Sequence, residues 1–413
     1  MSDRRSQRLA ALIESLSVGH LDGLLVTSLP NIRYLTGFSG TSALLFVTSR
    51  DVFLITDFRY QTQVRSEVGE LARIAVELQS LWTGLWQLLA QAPYVEVAGF
   101  ESAHLVHRDF QRLLEAGPKP RWRPTTDLVE TLREQKDASE VASIRAAAAM
   151  ATSALEATLP AIRAGMTELE VAGVLEKSLR DAGSEAFPFP SIVASGPRSA
   201  LPHARSSSRR IAKGEFLLMD FGAAAGGYCA DVTRTIVVGT ASNEQRAVYD
   251  VVRQANELAA SEVRAGLRGR EADALARDYI ERCGYGEEFG HGLGHGLGIE
   301  VHEAPRLART ADGVLSAGAV VTIEPGIYRP GKWGIRIENL VLNQPAGKTE
   351  FGDFLEFETL TLCPIDTRCI DLPLLREDER AWLNAYHATV RERVSPHVSG
   401  DALAWLETRT QPV

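Results

Sequence analysis

Asp220, Asp231, His295, Glu324 and Glu338 occur in that order in the second half of a 413-residue chain. Each lies in a short β-prone or glycine-rich segment: LLMDFG, ADVTRT, HGLGHGLGIEVHE, TIEPGIY and GIRIEN. Four carboxylates and one imidazole form a donor set that can hold two divalent cations close together, which makes a hydrolase the first reading. Asp220 and Asp231 stand inside apolar strand segments, where an unpaired carboxylate is costly. Taken alone, the two have an equally good explanation as strand-end aspartates facing water. Glu324 follows VVTI, and Glu338 sits between Ile337 and Asn339 in another apolar run. Four carboxylates aimed from strands into one place need positive charge to compensate them, and divalent cations supply it.

His295 is the nitrogen donor of the set. Its segment, FGHGLGHGLGIEVHE, has glycine at every second position from Gly290 to Gly298. The spacing of His291 and His295 superficially resembles a zincin helix, but no glutamate follows the first histidine, and each interior glycine would cost a helix about 1 kcal/mol. A dinucleotide fingerprint fails on glycine spacing and on the lack of a leading strand. The segment is therefore expected to be an extended loop whose backbone passes close to ligand, with glycine required because side chains would block the approach. His302 ends the segment, and His203 lies in the loop SGPRSALPHARSS; a lone loop histidine is most often a solvated bystander. Arg336, two residues before Glu338, is expected on the same strand face, holding that carboxylate in a salt bridge.

These residues need elements to carry them. EFLLMDF (215–221) and YCADVTRTIVV (228–238), joined by GAAAGG, read as a β-hairpin, and AVVTIEP with WGIRIENLVL as a second across GIYRPGK. Thr167 with Glu170, and Ser242 with Gln245, are capping-box signatures that open helices ending near Gly183 and Gly266. Further helices are expected from about 136 to 164 and 271 to 283. Helices separate from antiparallel hairpins indicate an α+β domain. Residues 1–130 instead alternate strand runs (21–27, 41–47, 52–56, 72–78, 95–100) with helical patterns, as an α/β domain does, and GPKPRWRPTTD (117–127) reads as a linker.

Composition narrows the class. A net charge of −9 with no basic stripe argues against nucleic acid as a partner. No apolar run approaches the roughly 20 residues of a bilayer span, and the charged N-terminus does not read as a signal peptide. Four cysteines without C-x-x-C spacing fit a reduced, cytoplasmic protein.

The motifs, in this order, resemble the proline-specific branch of the pita-bread metallopeptidases, the family of aminopeptidase P and prolidase. GLLVTSLPNIRYLTGFSG resembles the start of that family's creatinase-like N-terminal domain, LREQKDASEVASIRAA the start of its catalytic domain, and the tail from FETLTLCPIDTRCIDLPLL onward the C-terminal extension of aminopeptidase P. The resemblance implies a creatinase-like N-terminal domain over 1–130, a pita-bread catalytic domain over 131–364 and the extension over 365–413. It implies two divalent ions, manganese first and zinc or cobalt as alternatives. Asp231 and Glu338 would bridge them, His295 and Glu324 complete one site, and Asp220 the other. Glu324 would shuttle a proton, His302 would stabilise the oxyanion, and His203 and His291 would orient the peptide around proline. The implied substrates are proline-containing peptides, and the implied assembly is a homodimer. An Xaa-Pro aminopeptidase is the leading reading, with a dipeptide-restricted prolidase as the alternative. A non-catalytic binding protein on the same fold is the reading from another class; such relatives lose ligands, and none is lost here.

Overall fold

The apolar runs of the first hundred residues form one mixed six-stranded sheet. Its order is Arg73–Glu77, Val52–Asp57, Ala43–Thr48, Gly23–Val26, Val97–Glu101 and Arg121–Thr125. The two central strands, Gly23–Val26 and Ala43–Thr48, are buried along their whole length, hence their unbroken apolar sequence. The computed structural model describes residues 4–115, 120–262, 266–349 and 352–413. The chain divides into two units, Met1–Arg133 and Glu134–Val413.

Two elements of the first unit depart from the sequence reading. Arg121–Thr125, expected in a linker, is a strand paired in parallel with Val97–Glu101. It occupies the sheet edge and is largely exposed, a position that tolerates Pro124 and needs no alternating apolar pattern. Residues 116–119 of that expected linker lie outside the described residues. The helix Leu29–Thr36 was also not anticipated; Pro30 sits in its first turn, and Gly37 ends it in the left-handed conformation at φ 81°.

The second unit carries the helices that the capping signals announce. Glu168–Asp181 opens with the reciprocal Thr167–Glu170 box, and Asn243–Ser261 with Ser242–Gln245. Asp137 and Glu140 form a third such box before Ala138–Thr158, and Gly269–Arg282 follows Asn243–Ser261 along the chain. Ile192–Ser195, Phe216–Phe221 and Val232–Val237 form an antiparallel sheet. A five-stranded sheet runs Glu303–Leu307, Gly294–Gly296, Val320–Ile323, Asn339–Thr349, Gly352–Thr359.

Both expected hairpins are present, but each is interrupted. Phe216–Phe221 pairs with Val232–Val237, while Ala224–Ala225 and Tyr228–Cys229 make a small separate ladder at the tip. Val320–Ile323 pairs with Asn339–Thr349, and Gly326–Arg329 pairs with Trp333–Arg336 in a sheet of its own. Asp231, Glu324 and Glu338 therefore stand at strand breaks rather than within strands. Behind them, Val248, Val252, Ala276 and Ile280 of two helices pack on Val321, Ile323, Ile335 and Val341. Ile365, Cys369 and Leu383 from the C-terminal segment join that same core. No helix among the described residues is long and apolar enough to cross a membrane.

One buried acid in this unit stands apart from the site. Glu156 of Ala138–Thr158 is fully buried, and among the described residues neither of its carboxylate oxygens has a hydrogen-bond partner. Burial lifts its pKa to about 8, against a smaller downward pull from Arg234. Because the folded value lies above the unfolded one, the folded chain keeps a proton that the unfolded chain releases. Stability from this group is thus fully present in acid and is lost as pH rises toward 8. The Glu156→Gln variant should gain stability relative to the parent as pH rises from about 4.5 to 8, by on the order of a few kcal/mol. Denaturant melts at pH 5 and pH 8 measure it; a pH-independent difference would show that Glu156 does not titrate.

Candidate metal centre

The five donors come to one place because strands carry Asp220 and His295 there and strand breaks aim Asp231, Glu324 and Glu338 at them. Asp220 lies in Phe216–Phe221, directly across the ladder from Thr233. Asp231 precedes Val232–Val237, Glu324 follows Val320–Ile323, and Glu338 lies between Arg336 and the strand that starts at Asn339. His295 is carried by the strand Gly294–Gly296, held between Glu303–Leu307 and Val320–Ile323. The glycines of this strand have a different cause from the one expected. A Cβ on Gly294 would sit 1.9 Å from Thr322 O, and one on Gly296 would sit 2.1 Å from Ala304 O. Neighbouring backbone, not ligand, excludes side chains there.

All five donors line one cavity of about 890 Å³, together with His203, His291, His302 and Arg336. A larger depression of about 1380 Å³ beside Gly269–Arg282 shares only His291, Gly292 and Ala308 with it and contains none of the five. Donor atoms of Asp231, His295 and Glu338 lie within 4.8 Å of one another. His295 Nε2 is 3.8 Å from Asp231 Oδ2 and 3.6 Å from Glu324 Oε1.

The donor set fits divalent cations on three independent counts. First, His295 Nδ1 is 3.0 Å from the carbonyl of Gly296. A carbonyl only accepts, so Nδ1 carries the proton and Nε2 presents its lone pair to the carboxylates, as a ligating histidine must. Burial holds the ring neutral, with a pKa lowered to about 4. Second, Asp231 Oδ1 is buried without a hydrogen-bond partner among the described residues. Third, the carboxylates repel one another. Burial, then Glu338, Asp220 and Glu324, raise Asp231 well above the carboxylate range; burial and Glu338 do the same to Glu324. Burial and Asp220 lift Glu338 to about 7. Such a cluster stays together only with protons or cations in it.

Arg336 reaches a different partner from the one expected. Its Nη2 donates to Asp220 Oδ2 at 2.5 Å, whereas Glu338 Oε2 accepts from Thr233 Oγ1 at 2.6 Å. The break between Arg336 and Asn339 removes the simple alternation that would have put Arg336 and Glu338 on one face. Arg336 Nε also donates to Thr233 Oγ1, at 2.9 Å, so Thr233 links the guanidinium to Glu338. Thr233 was not singled out in the sequence, although its place two residues past Asp231 was a usable signal.

Tyr328 was missed as well. Arg336 Nη1 donates to Tyr328 Oη at 2.8 Å, and the same oxygen lies 2.8 Å from His291 Nε2. His291 Nδ1 faces the carbonyl of Gly292 at 2.8 Å and so carries the ring proton. Tyr328 therefore donates to Nε2, and both ring nitrogens of His291 are engaged. His291 is a neutral wall of the cavity, its pKa lowered to about 4 chiefly by burial. His302 stacks edge-on against His295, with ring centroids 4.4 Å apart, and burial lowers its pKa. His203 lines the cavity from the loop before Phe216–Phe221. The Tyr328→Phe variant should lower kcat by about 10- to 100-fold with its metal content unchanged. A wild-type kcat would mean that Arg336 and His291 hold their places without that hydroxyl.

Comparison with known proteins gives these residues a family context. Residues 142–344 match the family model of metallopeptidase family M24, residues 353–413 that of the C-terminal region of peptidase M24, and residues 8–135 that of the creatinase/prolidase N-terminal domain. An Xaa-Pro dipeptidase of Pyrococcus horikoshii is 33% identical over 342 residues, covering 82% of this chain and 95% of the relative. The solved Xaa-Pro dipeptidase from Bacillus anthracis is 38% identical with a TM-score of 0.81, covering 87% of this chain and 98% of the other. The X-prolyl aminopeptidase of Caenorhabditis elegans, described as a cytosolic enzyme with a di-nuclear active site, has a TM-score of 0.84 at 27% identity. It covers 99% of this chain and 71% of its own.

Proposed function

The chain belongs to metallopeptidase family M24, a creatinase-like N-terminal domain preceding a pita-bread catalytic domain, and from this premise we propose that it is an Xaa-Pro aminopeptidase. The observation that carries the reading is the convergence of Asp220, Asp231, His295, Glu324 and Glu338 in one cavity, with His295 Nε2 turned toward the carboxylates. We assign Asp220, Asp231, His295, Glu324 and Glu338 as the residues that would hold the divalent ions. Divalent cations held there supply Lewis acidity toward the scissile carbonyl and toward the attacking water. A donor set of four carboxylates and one imidazole suits manganese. A homodimer and a cytoplasmic location are carried by the family resemblance and, for the latter, by the description of the nematode relative.

The chain's own residues then divide the work. Glu324 takes a proton from the attacking water and delivers it to the prolyl nitrogen, which leaves as a secondary amine. His302 donates to the carbonyl oxygen as it gains charge. His203 and the neutral His291 wall the place of the proline ring, and Arg336 fixes Asp220.

The relatives favour two substrate lengths. The nematode aminopeptidase matches this chain over 99% of its length, C-terminal segment included, whereas the two dipeptidases match 82% and 87% at higher identity. Full-length correspondence favours the aminopeptidase, and identity favours a prolidase. After Mn²⁺ loading, we expect cleavage of Xaa-Pro-Yaa but not of Xaa-Ala-Yaa. Cleavage of the dipeptide Xaa-Pro alone would establish the prolidase, and no cleavage of either proline peptide by the metal-loaded protein would refute both.

Glu324→Gln is expected to lower kcat by about 100- to 10,000-fold, the range for a lost proton-transfer group. Near-parental turnover would take Glu324 out of that role.

A further inference from the structure

A buried polar network joins the C-terminal segment to the backbone on which Glu324 and Glu338 are mounted. Its centre is Arg234, on the strand Val232–Val237 and almost wholly buried. Arg234 Nη1 donates to the backbone carbonyl of Glu338 at 2.5 Å and to that of Thr233 at 3.0 Å. Nη2 donates to Asn339 Oδ1 at 2.8 Å, to the carbonyl of Cys363 at 3.0 Å and to Tyr386 Oη at 3.1 Å. Tyr386 belongs to the C-terminal helix Glu377–Val394, and its hydroxyl donates to Cys363 O at 2.7 Å.

The network continues on the other side of Arg234. Asn339 Nδ2 donates to Asn256 Oδ1 at 3.3 Å. Asn256, buried in helix Asn243–Ser261, donates through Nδ2 to the carbonyls of Ile323 at 2.8 Å and Ile337 at 3.1 Å. Those carbonyls belong to the residues immediately before Glu324 and Glu338. One side chain thus ties together the two strand breaks that deliver two of the carboxylates, and Arg234 and Tyr386 tie those breaks to the tail.

We infer that Tyr386, Arg234 and Asn256 are positioning residues for the metal centre, and that the C-terminal segment acts through them to set the separation of Glu324 and Glu338. The inference rests on the ligand assignment proposed above. The physical reason is that the carboxylates repel one another while their backbones stand at strand breaks, each held through its own N–H by one backbone bond, Glu324 to Leu293 O at 2.8 Å and Glu338 to Thr233 O at 3.1 Å. A bond from Asn256 to the carbonyl before each glutamate, and from Arg234 to the carbonyl of Glu338, anchors the other side of those peptides.

The test is calorimetric titration of the metal-stripped full chain with Mn²⁺, using Tyr386→Phe, which removes one oxygen, and Asn256→Ala, which attacks the network from the other helix. Thr389→Val removes an exposed hydroxyl from the Tyr386 helix and is the control. Thermal melting of each metal-stripped protein identifies the variants that keep the parental fold. Among those, Mn²⁺ affinity should fall about 10- to 100-fold, as losses behind a metal ligand do, while Thr389→Val matches the parent. Substituting Arg234→Lys should recover part of the affinity lost in Arg234→Met, because an amine still reaches some of the carbonyls. Parental affinity in a folded Tyr386→Phe or Asn256→Ala overturns the inference. A parent protein that itself binds no Mn²⁺ overturns the ligand assignment instead, so the two failures are distinct.

Discussion

Mutual repulsion among four clustered carboxylates, Asp231 and Glu338 buried and Asp220 and Glu324 partly so, is the constraint around which the catalytic unit is organised. Two unit charges about 4 Å apart interact by about 4 kcal/mol at an effective dielectric constant near 20, and Asp231 faces three such neighbours. No arrangement of side chains removes that cost while the cluster is empty and ionised. The fold instead makes the cluster rigid, so that it cannot relax by spreading, and leaves its compensation to protons or cations. Thr233 on Glu338, Arg336 on Asp220 and the neutral His295 between Asp231 and Glu324 each hold one member without filling the space between them.

Rigidity comes from backbone placed unusually close to backbone. The strand Gly294–Gly296 fits between its neighbours only because it carries no Cβ at either end, and His295 alone projects from it toward the acids. Its backbone N–H is anchored to Thr322 Oγ1 at 3.1 Å. Thr322 is two residues before Glu324, so histidine and glutamate are positioned by adjacent strands that share a hydrogen bond. Breaking the ladders at Asp231, Glu324 and Glu338 serves the same end, since a carboxylate at a strand break can turn inward while the strand continues past it on another line.

The donors were legible in the sequence because chemistry makes them conspicuous: acids in apolar strands and a histidine among glycines have few bland explanations. The helix starts were legible too, since a capping box is local and its partners lie three residues apart. What resisted reading was set by contacts distant in sequence. Arg336 finds Asp220, 116 residues away, because a strand break that has no local signature turns it from Glu338. Arg121–Thr125 is a strand only because an edge was available beside Val97–Glu101. The glycines were rightly read as marking close approach, but which chain approached could be known only once the strands at Thr322 and Ala304 were in place. Tyr328 and Asn256 carry ordinary sequence contexts, and their partners are defined by packing alone.

Formal charge bears on where guanidinium groups can stand around the acids. Under the proposed assignment two divalent ions would bring four positive charges to the four carboxylates, in a cavity that Arg205, Arg306 and Arg336 also line. A second guanidinium bonded to a ligand carboxylate would occupy a lone pair that an ion needs. Arg234 avoids that conflict by bonding only neutral acceptors, lending its charge to Glu338 from behind. Glu156 is the acid placed to cancel that charge, and burial keeps it protonated through neutral pH. Below about pH 8 the positive field behind the centre is thereby preserved, because that acid stays mostly protonated.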